Sequence, residues 1–205
     1  MTVRNDVRRE YGISDEKVLI GNVARFESQK NQPFLIRAFA AMQNPDDAAL
    51  MFVGDGPDRA GCESLCKSLG LEDRVIFAGR QKEIHKYYAA MDVFAFPSIY
   101  EGLPGVMVEA QASGLECLMS DTITTDVCVS DRLKTLGIND ESIWTKALNE
   151  LVSGRKADRS WMSAEGDLAH RRDYVDVMRE AGFDVTAQAG EMSAFYADPI
   201  GSGLT

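Results

Sequence analysis

Two glutamates, Glu101 and Glu109, stand with seven residues between them in the run PSIYEGLPGVMVEAQASGLE (97–116), and a Gly-Leu-Pro step follows the first. Carboxylates accept hydrogen bonds from hydroxyl groups, and a helix start offers its backbone N–H groups to anions. Pro104 suits the first helical position, where its missing N–H would have had no partner. The segment therefore predicts a helix over Leu103 to Gly114, with the amides of Gly102, Leu103 and Gly105 pointing out of its N-terminus. Leu103, Val106, Met107 and Ala110 recur at helical spacing and would face a core, which leaves Glu109 off that stripe. A lone glutamate is most often a solvated surface group. Here the pair follows an apolar run, Asp92 to Pro97, that reads as a buried strand, so the helix start would sit at the carboxyl edge of a parallel sheet, where open α/β sheets bind ligands.

Three further segments fall at the same edge. The first strand runs out through Gly21, Asn22, Val23, Ala24 and Arg25, and the following loop delivers Lys30 just before Pro33 opens a helix. An Arg and a Lys at that spacing are more often surface charges. Beside the Glu101 helix start, they would supply the fixed cations that a diphosphate requires, and charge-assisted contacts of this kind strengthen as a phosphate departs. Gly54, Asp55 and Gly56 are adequately read as a tight connection between strand and helix, or as a place where backbone approaches a ligand. Gly79 and Arg80 leave the third strand, where backbone groups could read a base.

Other chemistries lose their footing. The chain has neither a GxxxxGK[ST] loop nor a GxGxxG turn, which removes P-loop hydrolysis and dinucleotide redox chemistry. No two aspartates stand two apart, so the arrangement that would hold a divalent metal against a diphosphate is missing, and no cofactor or metal is expected. Cys62, Cys66, Cys117 and Cys128 form no CxxC pair and only His85 and His170 could join them, so reduced structural thiols are expected rather than a zinc site. The formal charge of −10 argues against nucleic acid as a partner, because Lys and Arg supply most of that affinity.

These residues need a scaffold that brings loop ends together. With 205 residues, 45% hydrophobic and 26% charged, the chain can build one ordinary core. No apolar stretch is long enough to span a membrane and the first residues are charged, so a cytoplasmic protein is expected. Val18 to Val23, Ala48 to Val53, Val75 to Phe77, Val93 to Phe96 and Cys117 to Met119 read as strands. Asn31 to Met42, Pro57 to Leu69, Gln81 to Met91 and Leu103 to Gly114 read as helices between them. That alternation is the pattern of an α/β, doubly wound, Rossmann-like parallel sheet, and the unbroken apolar strands fit a sheet covered on both faces. After a Thr/Asp-rich stretch, Thr122 to Asp131, extra C-terminal helices are expected at Glu141 to Val152, Trp161 to Ala181 and Thr186 to Tyr196. A single domain over 1–200 with a disordered tail at 201–205 completes the expected organisation.

In order and spacing, RFESQKNQPFLIRAFA, LMFVGDGP, RVIFAGR, DVFAFPSIYEGLP and VEAQASGL resemble the nucleotide-sugar-binding, C-terminal half of family 4 retaining glycosyltransferases with the GT-B fold. The spacing of Glu101 and Glu109 matches that family's EX7E motif, and the resemblance runs from about Arg9 to Asp126. The AQASGL and SDTIT stretches are most similar to bacterial capsular and exopolysaccharide enzymes. The resemblance implies that Arg25 and Lys30 grip the donor diphosphate and that Glu109 accepts from the ribose hydroxyls. It implies that Glu101, the catalytic candidate, holds the donor's sugar and phosphate with Gly102, Leu103, Pro104 and Gly105, and that Gly79 and Arg80 lie at the base. It further implies a UDP-sugar donor, metal-independent transfer and a glycan or lipid-linked acceptor bound by an N-terminal domain, with the full-length enzyme at the inner membrane face.

Glu116 stands where the family usually has proline, and Asp126 where the polysaccharide enzymes carry glutamate. Because the sequence begins at the second domain of such enzymes, an isolated chain is expected to bind donor without transferring it. The alternative is a non-catalytic nucleotide-sugar-binding or regulatory subunit that pairs with another chain.

Overall fold

A computed structural model describes residues 3–157 and 174–184. The elements run α1 (Val3–Glu10), β1 (Val18–Val23), α2 (Gln32–Ala40), β2 (Ala48–Val53), α3 (Arg59–Ser68), β3 (Val75–Gly79), α4 (Ile84–Ala90), β4 (Val93–Phe96), α5 (Gly105–Ala112), β5 (Glu116–Ser120), β6 (Leu133–Leu136) and α6 (Glu141–Ala157). Residues 174–180 form a further helix. The strands pair in the order β3-β2-β1-β4-β5-β6, all parallel.

The unbroken apolar strands produce two cores, one on each face. Val18, Ile20, Leu50, Phe52, Val93, Ala95 and Leu118 point to a face covered by α2, α3 and α6, where Phe34 meets Trp144 edge-on. Their neighbours Leu19, Val23, Met51, Val53, Phe94, Phe96, Cys117 and Met119 point the other way, under α1, α4 and α5. Period-two alternation thus survives as an alternation between two apolar layers rather than between core and water. The chain winds outward from β1 to β3, then returns to set β4 against β1. Only Ile20↔Val93 and Gly21↔Phe94 pair there. Such a reversal leaves a crevice beyond the carboxyl ends of the two central strands.

At the opposite, amino-terminal edge, α1 is bolted to the sheet by charge. Asp92, 1% exposed, accepts from Arg4 at 2.7 Å, from Arg8 at 3.3 Å and from the Leu19 amide at 2.7 Å. Arg8 is equally buried and also donates to the carbonyls of Ala90 and Ser14. Burying a carboxylate in this way is tolerable only because its partners saturate it.

The structure corrects the sequence reading at several points. The helix expected from Leu103 begins at Gly105, and Pro104 is its extended N-cap residue (φ −77°, ψ 94°) rather than its first turn. The Thr/Asp-rich stretch leads into a sixth strand, β6, that the sequence did not announce. α1 is likewise unanticipated, because its eight residues VRNDVRRE are mostly charged. The helix expected at Trp161 to Ala181 is seen over 174–180, its earlier part lying outside the described residues, as do the expected helix at Thr186 to Tyr196 and the tail 201–205. Among the described residues, no helix is long and apolar enough to cross a membrane.

Candidate functional site

The loops after β1 and β4 are stitched together at the crevice. The Ile99 amide donates to the Gln29 carbonyl at 2.8 Å, and the Gln29 side chain donates to the Tyr100 carbonyl at 2.7 Å. Ser28–Lys30 makes a 3-10 turn closed by Asn31 in the left-handed region (φ 54°), which ends the loop and starts α2. This stitching fixes Lys30 against Glu101, Nζ to Oε1 at 2.5 Å, with side chains only 19% and 11% exposed. Ser98, fully buried, places its Oγ 2.5 Å from the same carboxylate oxygen and 3.0 Å from the Gln29 carbonyl. Lys30 also stands over the Phe96 ring, 5.6 Å from its centroid.

Next to this pair the backbone leaves donors unused. Among the described residues, the amides of Gly102, Leu103 and Gly105 have no protein acceptor. The later helix start changes which residue is helical but keeps these three amides free, at the positive end of α5. Ile99, Tyr100 and Leu103, on the same loop, are all exposed apolar side chains.

Glu109 lies a turn further along α5. It is exposed, and its Oε2 accepts from the hydroxyl of Tyr88 on α4 at 2.9 Å. Tyr88 is 2% exposed and packs edge-on against Phe94 at 5.7 Å. Burial first, and the Glu109 charge second, push its phenol well above the ordinary tyrosine range, so it remains a donor.

Arg25, Gly54, Asp55, Gly56 and Arg80 line an open cleft of about 590 Å³. The loops carrying them are laced by backbone bonds: Ala24 N–H to Val53 O, Phe26 N–H to Asp55 O and Gly54 N–H to Gly79 O, all 2.9 to 3.1 Å. Gly54 adopts φ +142°, and a Cβ there would fall 1.9 Å from the Ala24 carbonyl oxygen. The glycines thus have a structural reason of their own, the close approach of two loops, and the Gly79 carbonyl is already used. Arg25 is two-thirds exposed and paired with Glu27 at 3.0 Å.

The predicted residues therefore gather in three groups: Lys30 with Glu101 and the free amides, Glu109 with Tyr88, and Arg25 with the Gly54–Gly56 loop and Arg80. Among the described residues no hydrogen bond or ion pair joins Arg25, Lys30 and Glu109 to one another. Sequence reasoning missed Ser98, Tyr88 and Gln29, since a serine after a strand and a tyrosine within an apolar stripe read as ordinary packing. Among the described residues no cluster of three or more His, Cys, Asp or Glu could hold a metal ion. Cys62 and Cys66 are buried on α3, and desolvation pushes their thiols up to about 11 and about 12; Cys128 is exposed.

Residues 3–164 match the family model described as Glycosyl transferases group 1. The chain belongs to that family. EpsF of Bacillus subtilis (strain 168), a protein named as a glycosyltransferase, is 32% identical to this group 1 chain over 188 residues, which is 90% of this chain and 46% of EpsF. Two solved structures have the same fold. Sucrose-phosphate synthase from Thermosynechococcus elongatus superposes with a TM-score of 0.76 at 24% identity, over 97% of this chain and 49% of its own. HepE from Anabaena, solved in complex with UDP-glucose, gives 0.75 at 21% identity over 96% and 52%. The fold is that of GT-B glycosyltransferases, and the group 1 chain spans about half the length of these relatives.

Proposed function

We propose that this group 1 chain is the nucleotide-sugar-binding, C-terminal half of a retaining, family 4 glycosyltransferase that takes a UDP-sugar as donor and extends a polysaccharide or other glycan without a metal. The observation that carries the proposal is the Lys30–Glu101 pair beside the free amides of Gly102, Leu103 and Gly105, all at the crevice between β1 and β4. In transfer, the bond from the sugar's anomeric carbon to the diphosphate oxygen breaks, an acceptor hydroxyl oxygen forms the new bond on the same face, and the hydroxyl proton passes to the departing diphosphate. The diphosphate gains charge as it leaves, and Lys30, Arg25 and the free amides stabilise that charge. Glu101 orients the donor sugar, Glu109 takes the ribose hydroxyls, and Arg80 with the Gly79 backbone borders the base. Binding of nucleotide sugars by neighbours such as HepE supports the donor class. The acceptor site belongs to another domain, so the chain alone binds donor and transfers nothing.

Thermal unfolding with millimolar UDP, UDP-sugars, GDP or ADP, each with magnesium and again with EDTA, tests this. UDP and its sugars are expected to raise the midpoint whether or not magnesium is present. Saturation to about a hundred times the dissociation constant adds roughly 2.7 kcal/mol to stability. Arg25→Ala or Glu109→Ala should weaken binding by about 1 to 3 kcal/mol, the cost of removing a charged hydrogen-bond partner. No midpoint shift with any nucleotide would sink the reading.

The exposed trio Ile99, Tyr100 and Leu103 favours a second reading, a donor-binding subunit that rests this apolar rim on another chain and does no chemistry itself. Supplying in trans the part of EpsF that lies outside the matched region separates the two. Sugar transfer supports the first, and association without transfer supports the second.

A further inference from the structure

A carboxylate that grips a ligand from the surface of a helix loses rotational freedom when it binds, and that loss weakens the complex. Glu109 is exposed, yet one of its oxygens is already committed. The Tyr88 hydroxyl lies 2.9 Å from Oε2, whereas its other acceptor, the Val106 carbonyl, is 3.3 Å away. A phenol has one proton to donate, and the charged, nearer acceptor takes it more strongly.

Tyr88 cannot readily move away. It is 2% exposed, carried on α4 between the sheet and α5, and its ring meets Phe94 edge-on. Burial and the neighbouring Glu109 raise its pKa above the ordinary tyrosine value, so the proton stays on the phenol oxygen at neutral pH. We propose that Tyr88 is a positioning residue for ligand binding: its buried hydroxyl clamps Oε2 of Glu109 and so presents Oε1, already oriented, to the vicinal hydroxyls of the ligand's ribose. The inference rests on the reading of Glu109 as the ribose partner.

The test compares two ligands that differ only where Glu109 acts. UDP carries both ribose hydroxyls and 2′,3′-dideoxy-UDP carries neither. Titration calorimetry on the full chain measures both against wild type, Tyr88→Phe and Glu109→Ala. Tyr88→Phe keeps the ring, and hence the contact with Phe94, while deleting the clamp. It should weaken UDP about three- to tenfold, the range set by freeing one side chain's rotamers, and leave dideoxy-UDP unchanged. Glu109→Ala should weaken UDP more and likewise spare the dideoxy compound.

If Glu109→Ala discriminates between the ligands but Tyr88→Phe does not, Glu109 meets the ribose unaided and the positioning role is wrong. Equal weakening of both ligands by Tyr88→Phe would show a merely structural tyrosine and also overturn it. If Glu109→Ala fails to discriminate, the ribose assignment itself falls, and the role of Tyr88 with it.

Discussion

Lys30 and Glu101 neutralise each other at 2.5 Å, although one of them is assigned to an anion. A diphosphate arriving at Lys30 must share it with a carboxylate that repels phosphate. The two partners should therefore respond oppositely to mutation. Lys30→Ala is expected to weaken UDP by about 1 to 3 kcal/mol. Glu101→Gln keeps the shape, removes the competing charge and should tighten bare UDP by at least about 0.2 to 1 kcal/mol, the worth of an exposed ion pair, since this pair is largely buried. Calorimetric titration of both variants decides it, and weakening by both would mean that Glu101 holds Lys30 in position instead of competing for it. At this scale the sequence was a good guide to charge and a poor one to support. Glu101 and Glu109 stood out because a helix start and a glycine-proline step framed them. Tyr88 and Ser98 did not, because what gives each its role is a contact made across the fold: Tyr88 with a residue of the next helix, Ser98 with the loop after β1.

Between elements, the connection after β2 is tightly constrained. Gly54 has a positive φ and a Cβ there would collide with the Ala24 carbonyl, whereas a Cβ on Gly61, inside α3, would meet nothing within 4 Å. Gly54→Ala should cost about 1 to 3 kcal/mol or more through strain and displacement of the Arg25 loop. Gly61→Ala should stabilise by about 0.5 to 1 kcal/mol, the helical difference between the two residues. Melting both variants side by side checks the pair, and equal effects would contradict the geometry. The first five strands were legible to within a residue or two, since unbroken apolar runs of that length suit few alternatives. β6 was not. Its sequence, LKTL, is half-exposed at the sheet's edge, so burial never stamped a pattern on it. The start of α5 slipped by two residues because Pro104 is compatible with both the cap and the first turn, and only the fold chose.

Across the whole molecule, the two edges of the sheet have different tasks. The carboxyl edge carries the loops of the site, and the amino edge carries the Asp92 cluster that holds α1 against β1 and β4. Asp92→Ala would leave Arg8, 1% exposed, with only the exposed Asp15 carboxylate at 3.7 Å as a counter-charge, and removing one partner of such a buried pair costs about 3 to 5 kcal/mol. Chemical denaturation should record that loss. A fall of under about 1 kcal/mol would show that the arginines find other partners through the Ala90 and Ser14 carbonyls. The cluster escaped sequence reading because Arg4 and Arg8 lie in a segment that looks like solvated surface.

The narrow seam between β1 and β4 also bears on how the chain is assembled. β1 pairs with β2, and β4 with β5, across a single helix each, but Ile20 and Val93 meet only after most of the intervening chain has been gathered in. Closing that long loop is entropically the harder step, so the two flanking units should order first and the seam last. Because the site takes loops from both units, a ligand binds only once the seam is complete, after the folding barrier has been crossed. In stopped-flow experiments UDP should slow unfolding and leave the refolding rate unchanged, which would make the nucleotide a kinetic latch on the join between the two units.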